Sequence, residues 1–471
     1  MTVNGGQHAL FDDCPKFGRH CEEGRRLLTN SYLLPPTSYL LPPNSYLLTP
    51  NFNKKVMVSM YYYNYSGHAL VSLSPLSGFG PEVPPVTQGH LFAPVAGDPV
   101  LGRGSFRVSC PGQLAAPHAL EVLDASRLPQ IEVDEACAAA IQEGRLTAVN
   151  MSRPGWEALL DRQPSPRKNR VNVLAIGDVG STLLMGLKLL GGDVIDSIGI
   201  CDLSDQITAR WEFELGQIAL PWNYNALPEA EVIPPEKLFD GDVFVFVASK
   251  GIPPVGSQVK DVRMAQFQAN AGIVKHYARM ARAANYQGLW CAVSDPVDPL
   301  AKTAYLESNM DENGAWDGKG LRPEQVQGFG LGVMNARAAY YAKRDEKFAG
   351  FLTEGRSFGP HGTGLTIANS IDHYDDALSQ ELTELTVTAN LKMRALGFKP
   401  YVAPALSSGA LSLLLTLRGE WHCGSVFLDG IYMGVKNRFT PAGVETELLP
   451  HIPDPLFAHI RAAADHLKTI L

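Results

Sequence analysis

Apolar and polar positions alternate in a recognisable order between residues 171 and 202. Val171, Val173, Leu174 and Ile176 read as a short strand rich in β-branched residues, and Gly177-Asp178-Val179-Gly180 stops it. A leucine-rich stretch then reads as a helix, and Ile198–Cys201 reads as a second strand that ends at Asp202. Strand, glycine turn, helix, strand and terminal acid make one βαβ unit of the kind that binds a dinucleotide. Further on, the continuous apolar run 243–248 predicts a strand covered on both faces. Lys250–Val262 reads as a loop, Arg263–Ala284 has helical periodicity, and Gly288–Ser294 predicts another buried strand. Strands and helices in alternation give an α/β fold with a Rossmann-type doubly wound parallel sheet.

The pattern changes on either side of that region. From Gly328 onward, helices are predicted at Gly328–Arg344, at Asp375–Leu396 and from Asp454, with strands near Phe351 and over Ser425–Tyr432. Residues 328–471 therefore read as an α+β substrate domain, and 169–327 as the nucleotide domain. Residues 61–168 form an irregular N-terminal extension with β-prone pieces at His68–Leu73 and Ser105–Ser109 and a helix over Val133–Leu146. Residues 1–60 read as a tail without regular structure, because the tandem heptads of 31–51 (SYLLPPT, SYLLPPN, SYLLTPN) carry prolines that forbid a helix. The expectation follows that the working protein starts at Met57 or Met60, which an intact mass of protein from its native source would check.

In the βαβ unit, Gly177 and Gly180 let the backbone approach a pyrophosphate at the start of the helix, with Asp178 and Val179 between them. The first glycine of the usual G-x-G-x-x-G is Ala175 here. Asp202 is placed to accept hydrogen bonds from the ribose hydroxyls and to repel a 2′-phosphate, which favours NAD over NADP. The strand ends at Ala248 and Ser294 are expected to line the same cofactor.

Overall composition narrows the function classes. The chain has 471 residues and a formal net charge of −8 without long like-charge runs, so a nucleic-acid partner is not expected. No apolar run is long enough to span a bilayer and no signal-peptide order opens the chain, so the expectation is a cytoplasmic protein. The cysteines (14, 21, 110, 137, 201, 291 and 423) are odd in number and lack C-x-x-C spacing, which predicts reduced thiols and no metal site.

Taken in order, GDVGSTLLMGLKLLG, CDLSD, VFVFVASKGIPP, DVRMAQFQANAGIVK, AVSDPVDPLAK, GFGLGVMNARAAYYAK and GRSFGPHGTG resemble the lactate and malate dehydrogenase family from about residue 170 to 450. The resemblance implies an NAD-dependent oxidoreductase acting on a small 2-hydroxy acid or related secondary alcohol, commonly as a homo-oligomer. It implies that His361 is the proton acceptor, that Arg337 grips the substrate carboxylate and that Arg263 polarises the substrate carbonyl. Some positions depart from the family pattern. The aspartate that orients the histidine is replaced by Met334, and the asparagine that bonds the substrate oxygen is replaced by Asp295, which cannot donate. Asp295 is therefore expected either to supply the missing counter-charge of His361 or to meet a cationic or polyhydroxylated substrate. Gly251–Val255 offers no arginine for a second carboxylate, which disfavours malate. Met334 also supports an alternative, a catalytically silent NAD(H)-binding or redox-sensing protein. An NAD-dependent glycosidase ranks below both, since the SDPVD turn lacks the cysteine and histidine that hold its metal.

Overall fold

Val243–Phe246 is buried at every residue because its two faces serve two cores. Val243 and Val245 pack with Val171, Val173 and helix residues Leu183, Leu184 and Leu187. Phe244 and Phe246 pack on the other side with Trp290, Ala278, Leu300 and Ala304. A period of two thus places an unbroken apolar run between two layers of helices.

The computed structural model describes residues 56–162, 167–250 and 262–471, the side chains of 262–265 excepted. The heptads of 31–51, Cys14, Cys21 and the Gly251–Val255 stretch lie outside the described residues. Arg263 sits in the first turn of the Val262–Ala283 helix, and its side chain lies outside them too.

Among the described residues one sheet has 14 strands. Its first part runs Glu229–Val232, Ile195–Cys201, Asn169–Leu174, Val243–Phe246, Leu289–Ala292 and Val326–Gly328, every neighbour parallel. That is the doubly wound order, and the order reverses between Asn169–Leu174 and Val243–Phe246. A crevice opens at such a reversal, beyond the C-terminal ends of those strands.

An antiparallel pair, Gly328 with Ser425, then hands the sheet to the hairpin of His422–Leu428 and Ile431–Thr440. Beyond it Val444 pairs in parallel with Phe106, and Leu146–Asn150, Leu91–Val95, His68–Ser72 and Tyr61–Tyr65 complete the sheet. The strands of the N-terminal region therefore extend the same sheet from its other side. Val56–Met57 pairs with Ile131–Glu132 within that region. Near Phe351 the expected strand is instead a short helix, Phe351–Glu354, and the strand starts later at Arg356. Gly350 starts that helix, and Gly355 ends it in extended conformation, so the strand is displaced by about one turn.

Candidate active site

The glycine turn occupies the crevice at the sheet reversal. Ala175 adopts a positive φ of 74°, a conformation that costs an L-residue roughly 1–2 kcal/mol. A side chain at Gly180 is excluded, because its Cβ would lie 2.1 Å from the Ala175 carbonyl oxygen. Gly177 faces open space, with nothing within 4 Å of where its Cβ would be, and Val179 is half-buried. The Ala175→Gly variant is expected to gain roughly 0.5–1 kcal/mol in urea unfolding, as relieved strain outweighs the added chain entropy. No change in stability, or a loss, would mean the turn is not strained.

Asp202 braces this turn from the neighbouring strand end. Its Oδ2 accepts the Ile176 N–H at 2.7 Å and its Oδ1 accepts the Ser204 N–H at 3.1 Å. Carboxylate oxygens have lone pairs beyond these bonds, so ribose hydroxyls can still be accepted. Asp178, at the start of the Asp178–Leu190 helix, is ion-paired with Lys399 at 2.8 Å, which holds the Lys399 ammonium above its ordinary value. The lysine balances the negative charge of that carboxylate at the helix start.

The opposite wall of the crevice is formed by the ends of the next two strands. Ala248 is half-buried, and Ser294 is buried with a hydroxyl that has no protein partner. An orphaned buried hydroxyl and an open glycine turn together fit a nucleotide with polar groups at both ends. Asn270, wholly buried, ties these ends together: its Nδ2 donates to the Asp295 carbonyl at 2.8 Å and its Oδ1 accepts the Lys250 N–H at 2.9 Å. The sequence alone gives Asn270 no role. The signal was a polar residue at core spacing, between Phe267 and Val274 on an otherwise apolar helix face.

His361 follows the Arg356–Phe358 strand in the Gly359-Pro360-His361-Gly362 turn. Its Nδ1 lies 2.8 Å from the Gly330 carbonyl oxygen, and its main-chain N–H points to Asp298 Oδ2 at 3.4 Å. Gly330 begins the Leu331–Ala342 helix, and a Cβ there would lie 2.9 Å from His361 Cβ, so glycine is what admits the histidine. Positions 330, 334 and 337 fall on one face of that helix. Met334 is buried in an apolar cluster with Val333, Phe348 and Leu365, and the Arg337 Nη1 lies 3.6 Å from its sulfur. No carboxylate among the described residues forms an ion pair with the half-buried Arg337. Burial lowers its proton affinity, opposed by Tyr341 and by the charge of Asp295.

Asp295 itself is exposed, and its charge is felt at Arg337. The carboxylate that touches His361 is that of Asp298, 2% exposed, which also accepts the Ser425 hydroxyl. Burial pushes the Asp298 carboxyl up to about 6, against the pull of the Ser425 hydroxyl and of His361. The sequence showed Asp298 only as the last letter of a turn motif, and its sole flag was an acid leading an apolar helix.

A cavity of about 1020 Å³ opens at the other end of the strands, beside Asn169, Val243 and Leu289, and contains none of these residues. Among the described residues no His, Cys, Asp and Glu side chains gather as a metal site, and no helix is long and apolar enough to cross a membrane.

No family model matches the chain. The L-lactate dehydrogenase of Treponema denticola is 25% identical over 196 residues, which is 42% of this chain and 56% of that protein. The chain thus spans little more than half the length of this curated relative. A lactate dehydrogenase from a Medee basin deep-sea metagenome superposes with a TM-score of 0.51 at 17% identity, over 65% of this chain and 98% of that one. Malate dehydrogenase from Archaeoglobus fulgidus, solved in complex with NADH, gives 0.50 at 17% identity over 64% and 98%. These likenesses establish the fold.

Proposed function

We propose, from the premise that this chain is a lactate/malate dehydrogenase-like protein, that it is an NAD-dependent oxidoreductase acting on a small 2-hydroxy acid or related secondary alcohol. The observation that carries the reading is Arg337. A half-buried guanidinium without a carboxylate ion pair among the described residues, on the helix face whose first carbonyl holds His361, is prepared for a substrate carboxylate. A guanidinium can make two parallel bonds to that group and so fix which face of the adjacent carbon is turned toward the cofactor.

Gly177, Asp178, Val179, Gly180 and Asp202 would hold the dinucleotide at pyrophosphate and ribose, with Ala248 and Ser294 beside the remainder. When bound, NAD supplies the hydride acceptor. His361 takes the hydroxyl proton at Nε2 as the hydride leaves the same carbon, and returns it in the reverse direction. Arg263 is the donor proposed for the substrate oxygen, since Asp295 can only accept. A monocarboxylate is the preferred substrate, because residues 251–255 carry no arginine for a second carboxylate. A hydroxyl or cationic group on the substrate would meet Asp295.

A second reading, a silent NAD(H)-binding protein, is supported by Met334, with no side-chain carboxylate bonded to the imidazole among the described residues. Fluorescence titration with NADH and NADPH, followed by NADH oxidation with pooled 2-oxo acids and 2-oxo sugar acids, separates the two. NADH is expected to bind at least about tenfold tighter than NADPH, a difference of roughly 1.4 kcal/mol, and to be consumed. Binding without consumption would select the silent protein, and no binding would sink both readings.

A further inference from the structure

Met334 leaves a question of mechanism, because a histidine that shuttles a proton must present the correct ring nitrogen. Where a carboxylate sits on Nδ1, it fixes the tautomer and the ring plane. The Gly330 carbonyl occupies that place, 2.8 Å from Nδ1. A carbonyl oxygen only accepts, so Nδ1 must carry the hydrogen and Nε2 the free lone pair. The carbonyl is itself held: the Ser408 hydroxyl donates to the same oxygen at 2.7 Å and accepts the Val333 N–H at 2.8 Å. Donating and accepting at once leaves that hydroxyl no freedom to rotate. Ser408 is 2% exposed and belongs to the Pro404–Leu411 segment, a π-helix packed against the Leu331–Ala342 helix. Gly332 permits that approach, since a Cβ there would lie 2.6 Å from the Ser407 carbonyl oxygen.

We infer that Ser408 is a positioning residue: by bracing the Gly330 carbonyl it holds His361 in the Nδ1–H tautomer and replaces the orienting role of the carboxylate absent at Met334. The inference deepens the proposed dehydrogenase function and rests on His361 being its proton acceptor. In oxidation the hydroxyl proton arrives at Nε2 while Nδ1 keeps its hydrogen bond to Gly330, so the ring need not turn during the step.

The test pairs ¹⁵N NMR of the His361 ring at pH 8.5 with steady-state kinetics on wild type, Ser408→Ala and Ser408→Thr. Wild type is expected to show a single neutral form with Nε2 unprotonated. Ser408→Ala is expected to mix in the other tautomer and to lower kcat about tenfold, the effect of one lost hydrogen bond, with NADH affinity and KM within about twofold of wild type. Ser408→Thr, which keeps the hydroxyl, is expected to restore both signals. A wild-type ring protonated at Nε2 overturns the inference, as does a Ser408→Ala variant with unchanged tautomer and kcat. The NMR arm needs no turnover, so it stands if the dehydrogenase reading fails, and if the alanine variant does not fold, Ser408→Cys, whose thiol is a weaker donor of similar size, takes its place with the same changes expected and the same unchanged result overturning the inference.

Discussion

Replacing His361 with Asn is expected to lower kcat by about 10²–10⁴, the range by which a positioned acid–base group contributes to a proton transfer. The argument is that asparagine keeps everything His361 does except carry a proton. Its main-chain N–H still meets Asp298, and its side-chain amide can donate to the Gly330 carbonyl that now accepts from Nδ1. Stability and NADH affinity should therefore stay near wild type, and the loss should fall on kcat with little change in KM. Steady-state kinetics with the best substrate of the 2-oxo acid pool, together with NADH fluorescence, is the check. Equal turnover by the variant would remove His361 from the reaction. It would direct attention to Asp298, the next ionisable group in contact with the turn.

The parallel part of the sheet was legible because its signals are local. An apolar run buried on both faces, a strand that breaks at glycines and an acid one strand later are each set by neighbours within a few residues. Val243–Phe246 lies where that pattern puts it, while the strand before the glycines ends early, at Leu174, and Gly177–Gly180 forms the cap and first turn of the Asp178–Leu190 helix. The contact that joins the N-terminal strands to the rest was not legible. Val444 pairs with Phe106 across more than 300 residues of chain, and nothing in either strand names its partner.

Of the candidate site, the residues proposed to act through a side chain, His361 and Arg337, could be picked from the sequence. A contact made by the main chain could not. Met334 announces that a carboxylate is gone, but the Gly330 carbonyl that meets the ring instead has no letter in the sequence. Asn270, Asp298 and Ser408 share a different obscurity. Each is a polar residue inside an apolar stretch, and in sequence such a residue looks like a tolerated exception. In the fold each is almost wholly buried and hydrogen-bonded to at least two partners, since a buried polar group without partners costs about 1–3 kcal/mol.

Asp298 carries the second large expectation, because a carboxyl that burial pushes from 3.8 to about 6 makes stability depend on pH. In the unfolded chain it loses its proton near 3.8, and in the folded protein it holds the proton until about pH 6. Its contribution to stability is therefore fully present below pH 3.8 and is lost as pH rises through 6, a change of about 3 kcal/mol. Asp298→Asn removes the charge and keeps the contacts: the amide oxygen can accept the His361 N–H, and the amide nitrogen can donate to a Ser425 hydroxyl that turns to accept. The variant should match wild type near pH 4 and exceed it by up to about 3 kcal/mol at pH 8, measured by urea unfolding across that interval. A difference that stays constant from pH 4 to 8 would show that Asp298 ionises normally in the fold. If the gain appears, wild type maintains at neutral pH a buried negative charge that destabilises it, in contact with the main chain of its proposed proton acceptor. A cost of that kind persists where the charge is used, so the same variant should lose turnover while it gains stability.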